Sequence, residues 1–171
     1  DMPMPLVAIQ LLWLNIVTDG LQDLALSFEK SEETIMNESP RNPNETLFNI
    51  ELFSEVFISG LFIGIIVFIV WIYLIKKLDM PVNIARGYIV TLMVFIQNMH
   101  VLNCRSEKSS ILKVPIKSNP LIIFSIVSAI FLQVLFSEVP FLSKFLQTTS
   151  IPITHMLILF VISTTIIFIM E

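Results

Sequence analysis

The sequence predicts an all-α protein, a polytopic membrane helix bundle of five transmembrane helices. Three observations carry that expectation. Hydrophobic residues make up 55% of the 171-residue chain and charged residues only 14%, whereas a soluble domain carries about a quarter charged residues because its surface must be wetted. The mean hydropathy is +0.84, which places the chain far from disordered sequences, whose apolar content is too low to build a core. Finally, Val56–Ile75 and Ile151–Met170 each run without one charged residue. Such stretches are long enough to cross about 30 Å of hydrocarbon at about 1.5 Å per residue. An ordinary soluble enzyme is thereby excluded.

The five expected spans are residues 6–26, 56–75, 88–102, 121–136 and 151–170. The first is apolar at both ends but holds Asn15, Thr18, Asp19, Gln22 and Asp23. The second is charge-free, the third carries Gln97, Asn98 and His100, and the fourth is apolar apart from Ser125, Ser128 and Gln133. The fifth has His155 near its start. Residues 27–55 read as a solvated cytoplasmic loop, with seven acids between Glu29 and Glu55 against Lys30 and Arg41, and with Pro40 and Pro43. Asn37-Glu38-Ser39 and Asn44-Glu45-Thr46 match the short glycosylation pattern. Lys76–Gly87, Cys104–Asn119 and Pro140–Pro152 read as the other connections. With residues 27–55 and Cys104–Asn119 inside, the cytoplasmic side holds six Lys/Arg and the outer side four. The positive-inside rule favours that orientation weakly, with an outer N-terminus that would leave the glycosylation matches without use.

Other function classes have no footing. The net charge is -4 and there is no basic tract, so a nucleic-acid partner is not expected. Cys104 is the one cysteine, which rules out an internal disulfide and a multi-cysteine metal site. No P-loop, zinc spacing or Ser/His/Asp set stands out. The chain starts at Asp1 and has no basic region ahead of its first apolar run. It therefore reads as a piece of something longer, with no signal peptide.

Asp19 is the most informative residue. A carboxylate at the centre of a membrane helix costs about 2.5–3.5 kcal/mol on insertion scales, so it faces protein or water and usually works. Asn15, Thr18 and Asp19 lie at i, i+3 and i+4, which puts three oxygen-bearing side chains on one helical face. Hard cations take clustered oxygen ligands. Gly20 follows, where a loosened helix would free backbone carbonyls as further ligands. Two plainer readings stand beside this one: a soluble amphipathic helix with a polar face, and an Asp that bonds a neighbouring helix as structural glue.

Ile9-Gln10-Leu11-Leu12-Trp13-Leu14-Asn15-Ile16-Val17-Thr18-Asp19-Gly20-Leu21 resembles the sixth transmembrane helix of the P-type cation-transporting ATPases, in the calcium and sodium/potassium pump branch. Ile35-Met36 and Ser39-Pro40-Arg41-Asn42-Pro43-Asn44-Glu45 resemble the family's Met followed by Pro-Pro-Arg-x-Pro-x-Glu. The five spans then match helices six to ten, so the resemblance covers the whole chain. It implies ion ligands at Asn15, Thr18 and Asp19. It also implies a ligand position at Gln97, where the two-site calcium pump has an acid; an amide brings an oxygen but no charge, which favours one ion per cycle over two. Gln22-Asp23 replaces the family's Pro-Ala, and with Asn103-Cys104-Arg105-Ser106-Glu107 looks like bacterial members.

The same resemblance implies a C-terminal transport portion of an ATP-driven cation pump, with calcium as the first expected cargo. Its partners would be the lipid bilayer and the rest of the pump, helices one to five and the cytoplasmic domains. ATP and Mg belong to the parent protein only, since the family's phosphorylated Asp-Lys-Thr-Gly string is absent from these 171 residues. The expected location is an integral, multi-pass membrane protein, in the plasma membrane if bacterial. The rival reading is a non-enzymatic five-span accessory or channel-like subunit using Asp19 as a proton or packing residue. Gly60 and Gly64 form a G-x-x-x-G that suits close helix packing, in the family against helix five, or arises by chance. Gln97 and His100 share an i, i+3 face, with Gln97 expected at the ion site. Arg105, Ser106 and Glu107 are expected at a solvated membrane edge, and His155 as an interfacial or packing residue.

Overall fold

The fold was taken from a computed structural model, which describes residues 2–30, 50–106 and 114–170. The glycosylation triplets, the 35–36 and 39–45 strings and Glu107 lie outside those residues. Among the described residues every regular element is helical: α1 (Ala8–Leu14), α2 (Gly20–Leu26), α3 (Ile50–Ile72), α4 (Val82–Asn103), α5 (Pro120–Glu138), α6 (Pro140–Phe145) and α7 (Ile153–Met170). Asn15–Asp19 joins α1 to α2 as a widened π turn, and Tyr73–Lys77 extends α3 in the same way. A single 3-10 turn, Ile116–Ser118, precedes α5.

Local chemistry sets the ends. The Gln10 side chain accepts from the Val7 N–H at 3.0 Å, capping the first turn of α1. Pro120 and Pro140 open α5 and α6, where a missing N–H costs nothing. Asn119 caps α5 by accepting from the Leu121 N–H at 3.1 Å. Asp79, at φ 47°, turns the chain out of α3, a left-handed conformation that Asp tolerates better than most residues.

Three helical stretches are long and apolar enough to cross a membrane: Leu52–Lys77, Pro120–Glu138 and Ile153–Met170. They match the second, fourth and fifth expected spans with shifted bounds. The loop expected over 27–55 ends early, because α3 already begins at Ile50. The apolar side chains Leu52, Phe53, Val56 and Phe57 carry the helix through Ser54 and Glu55. The connection expected over 140–152 contains α6, started by its Pro at the first helical position.

α4 is the centre of the bundle. It is longer than the expected 88–102, and residues Gly87 to Leu92 and Val94 to Ile96 are all buried. It packs most extensively on α7 and also touches α1, α3, α5 and both π turns. Phe95 meets Phe160 edge to face, with ring centroids 5.7 Å apart. The outer faces of α3, α5 and α7 present Phe57, Phe68, Phe124, Phe131, Ile158 and Phe168, all more than half exposed. An apolar surface of that extent needs lipid or further protein against it.

Buried polar side chains tie the helices together. Trp13 Nε1 donates to Gln133 Oε1 at 2.8 Å, and Gln133 Nε2 donates to Thr91 Oγ1 at 3.0 Å, linking α1, α5 and α4. Gln10 Nε2 donates to the Leu146 carbonyl at 3.0 Å, and the Tyr88 hydroxyl bonds His155 Nδ1 between α4 and α7. Trp13→Phe keeps the stacking on Phe136 but strands the Gln133 oxygen. It is expected to lower stability by about 1 kcal/mol, the scale of an interhelical hydrogen bond in a membrane, measurable by thermal unfolding in detergent.

Candidate cation site

The site grows from the π turn. The Gly20 N–H donates to the Asn15 carbonyl, five residues back, so the turn is one residue wider than an α turn. A Cβ at Gly20 would sit 3.4 Å from that same carbonyl oxygen, which is the room glycine leaves. The loosening expected at Gly20 is therefore a widened turn, with the chain still helical on both sides.

Thr18 is fully buried and points at α4. Its hydroxyl lies 2.6 Å from the Leu14 carbonyl, 2.8 Å from Gln97 Oε1 and 3.3 Å from Asp19 Oδ1. A hydroxyl has one proton to give. Three acceptors therefore crowd one donor, and Gln97 Nε2 helps only weakly, 3.4 Å from Asp19 Oδ1. The cluster is rich in oxygen and poor in hydrogen, which is the chemistry a cation relieves. Asp19 lies on the exposed side of the turn, as does Asn15. Of the expected ligands, Thr18, Asp19 and Gln97 meet. The Asn15 side chain takes no part in the hydrogen bonds of this group among the described residues, although its carbonyl shapes the turn.

Asn98 shows why Gln97 and not its neighbour reaches Thr18. It is fully buried, donates to the Val94 carbonyl at 2.8 Å and accepts from Gln22 Nε2 at 2.8 Å. Both ends of its amide are occupied. Among the described residues no three His, Cys, Asp or Glu side chains cluster as a metal-binding group. The donor set is one carboxylate with neutral oxygens. Calcium takes six to eight oxygens, so this set fits part of a shell.

The C-terminal end of α2 carries a second polar cluster that the sequence reading missed. Arg105, expected at a solvated edge, is buried instead, 7% exposed. It grips Glu29 through two hydrogen bonds, Nε to Oε2 at 3.1 Å and Nη2 to Oε1 at 2.9 Å. Nη2 also donates to the Pro115 carbonyl and to Ser118 Oγ. Asn119 Nδ2 donates to Glu29 Oε2 at 3.0 Å and to the Ala25 carbonyl at 2.8 Å. Burial works to raise the Glu29 pKa, but the hydrogen bonds from Arg105, Asn119 and Ser118 and the Arg105 charge outweigh it and hold the carboxyl below its usual value. The signal was one acid just past a helix end and one Arg just past another.

Gly60 and Gly64 lie on the exposed side of α3, where an added Cβ would meet nothing within 4 Å. The described residues therefore place no helix on the G-x-x-x-G.

The family described as "Cation transporting ATPase, C-terminus" matches residues 3–171. The chain belongs to that family. As the C-terminal membrane region of a P-type, calcium-pump-like ATPase, it is 33% identical over 150 residues to the calcium-transporting ATPase of Bacillus subtilis (strain 168), covering 88% of this chain and 17% of that protein. It is 30% identical over 140 residues to calcium-transporting ATPase 1 of Lactococcus lactis subsp. lactis (strain IL1403), covering 82% and 16%. It is 28% identical over 160 residues to the human calcium-transporting ATPase type 2C member 1, covering 93% and 17%. The ATPase membrane region thus spans about a sixth of the length of these relatives. Family and apolar helices together make it an integral, multi-pass membrane protein.

Proposed function

We propose that this chain is the ion-translocating C-terminal membrane segment of an ATP-driven calcium pump, in which Asp19, Thr18, Gln97 and Asn15 supply oxygens to the transported cation. The five spans would be helices six to ten of the parent, with α1–π turn–α2 and α4 crossing the bilayer as well as the three apolar helices. The observation that carries the reading is the oxygen-rich, donor-poor contact of Thr18, Gln97 and Asp19 beside the widened turn. Asp19 adds a second argument. A carboxylate at membrane depth does not face acyl chains, yet it lies on the exposed side of this bundle. In the parent it faces further protein, which completes the ion's shell. Gly60 and Gly64 are open for the same reason, and offer a close-packing face to helix five. Family membership favours the pump over an accessory subunit.

In this reading Asp19 supplies the negative charge, and Thr18 and Gln97 replace water around the ion. Gln97 brings no charge, so one ion is carried per cycle. Phosphorylation in the cytoplasmic domains of the parent reshapes the turn, and access alternates between the two sides. ATP-driven uptake of radiolabelled calcium by vesicles carrying the intact parent is the test. Uptake that needs ATP and saturates with calcium supports the reading. Transport of sodium or manganese in its place would reassign the cargo, and absence of any ATP-driven cation movement would sink it.

A further inference from the structure

Gln22 and Asn98 sit one helical turn from Thr18 and one residue from Gln97, respectively, and they bond each other. Gln22 is 5% exposed and Asn98 fully buried. Gln22 Nε2 donates to Asn98 Oδ1 at 2.8 Å, and Asn98 Nδ2 is spent on the Val94 carbonyl. The backbones of α2 and α4 touch little; α2 rests on α5. Two side-chain bridges therefore join the α2 side of the turn to α4, Thr18 to Gln97 and Gln22 to Asn98. They start four residues apart, at Thr18 in the π turn and Gln22 in α2, and fall on adjacent residues of α4. The first bridge offers one hydroxyl proton to three oxygens. The second is a neutral amide pair in which a donor NH2 meets an acceptor oxygen.

We infer that the Gln22–Asn98 amide pair is a positioning device: it fixes the rotation and height of α2 against α4, so that Thr18 and Gln97 face each other across the ion position. The inference rests on the pump reading. It follows from reach. A bridge between two amide side chains has one length, and a rotation of α2 that swung Thr18 away from Gln97 would have to break it. Removing the bridge leaves all proposed ligands in place but lets α2 turn, so the ion pays for realignment each time it binds.

The test uses the intact parent pump in membranes, with calcium-dependent phosphorylation from ATP as the readout. Gln22→Asn shortens one arm by a methylene and breaks the bridge while keeping an amide. It is expected to raise the calcium concentration for half-maximal phosphorylation about three- to ten-fold, the worth of one interhelical hydrogen bond in a membrane. The maximal phosphoenzyme level stays unchanged, because the ligands remain. Adding Asn98→Gln to Gln22→Asn moves the methylene to the other helix and restores the length. Calcium dependence in the double variant is expected within about two-fold of the parent, a smaller change than a lost bridge gives. An unshifted Gln22→Asn variant overturns the inference, and so does a double variant no better than the single one. If Gln22→Asn fails to fold, the double variant decides alone: recovery of folding with parental calcium dependence supports the pairing, and failure of both overturns it. Asp19→Asn in the same assay separates the two levels. Loss there with no effect at Gln22 sinks only the positioning role; no loss at Asp19 sinks the pump reading itself.

Discussion

Asp19→Asn in the intact pump is expected to leave expression unchanged and to abolish ion-dependent phosphorylation. The substitution keeps the shape of the side chain and one of its oxygens, so the widened turn and its packing survive. It removes the only charge in the contact of Thr18, Gln97 and Asp19. A divalent cation stripped of water among neutral oxygens has nothing to offset its lost hydration. Near-normal ion affinity in that variant would contradict the ligand role. The same logic orders two further variants. Asp19→Ala should be worse than Gln97→Ala, because one loses a charge and the other a neutral oxygen. Equal effects would mean that the two positions are misassigned.

The second large effect is expected at the other polar cluster. Arg105→Met should lower the stability of the intact protein by about 3 kcal/mol, because removing one partner of a buried pair leaves the other charge uncompensated. The Arg105 side chain is 2% exposed and that of Glu29 14%, so the lower end of the range applies. Arg105→Met combined with Glu29→Met should recover much of the loss, since an apolar pair leaves no stranded charge. Thermal unfolding in detergent measures both, and a double variant as unstable as the single one would sink the account. The pH dependence has a fixed sign. The Glu29 carboxyl sits below its usual value in the folded protein. Its contribution is complete above the ordinary glutamate range and is lost as pH falls through the lowered value. Arg105→Met should flatten that acid limb.

The helices were legible where hydropathy dominates and obscure where packing does. α3, α5 and α7 show as strongly apolar stretches because they face outward along most of their length. α4 was placed but cut short at both ends, since Val82 to Gly87 includes Asn83 and Arg86 and reads as a connection until its burial against neighbours is seen. The site was half legible. The i, i+3, i+4 spacing put Asn15, Thr18 and Asp19 on one face, but the wider turn splits them, with Thr18 inward and the other two outward. No sequence spacing announces a π turn. Gln97 was picked over Asn98 by resemblance, and the geometry gives the reason, because Gln22 already occupies Asn98. The Glu29–Arg105 grip joins residues 76 positions apart, and neither residue has a periodic neighbour to point toward the other.

The enclosure of α4 has a consequence for how the protein is made. Its composition, with Asn83, Arg86, Gln97 and Asn98 among apolar residues, gives it little drive to leave the insertion channel for lipid unaided. Its principal cover, α7, emerges from the ribosome some seconds later at about 5–20 residues per second. A chain cut short before Ile153 would lack that cover over the buried residues of α4.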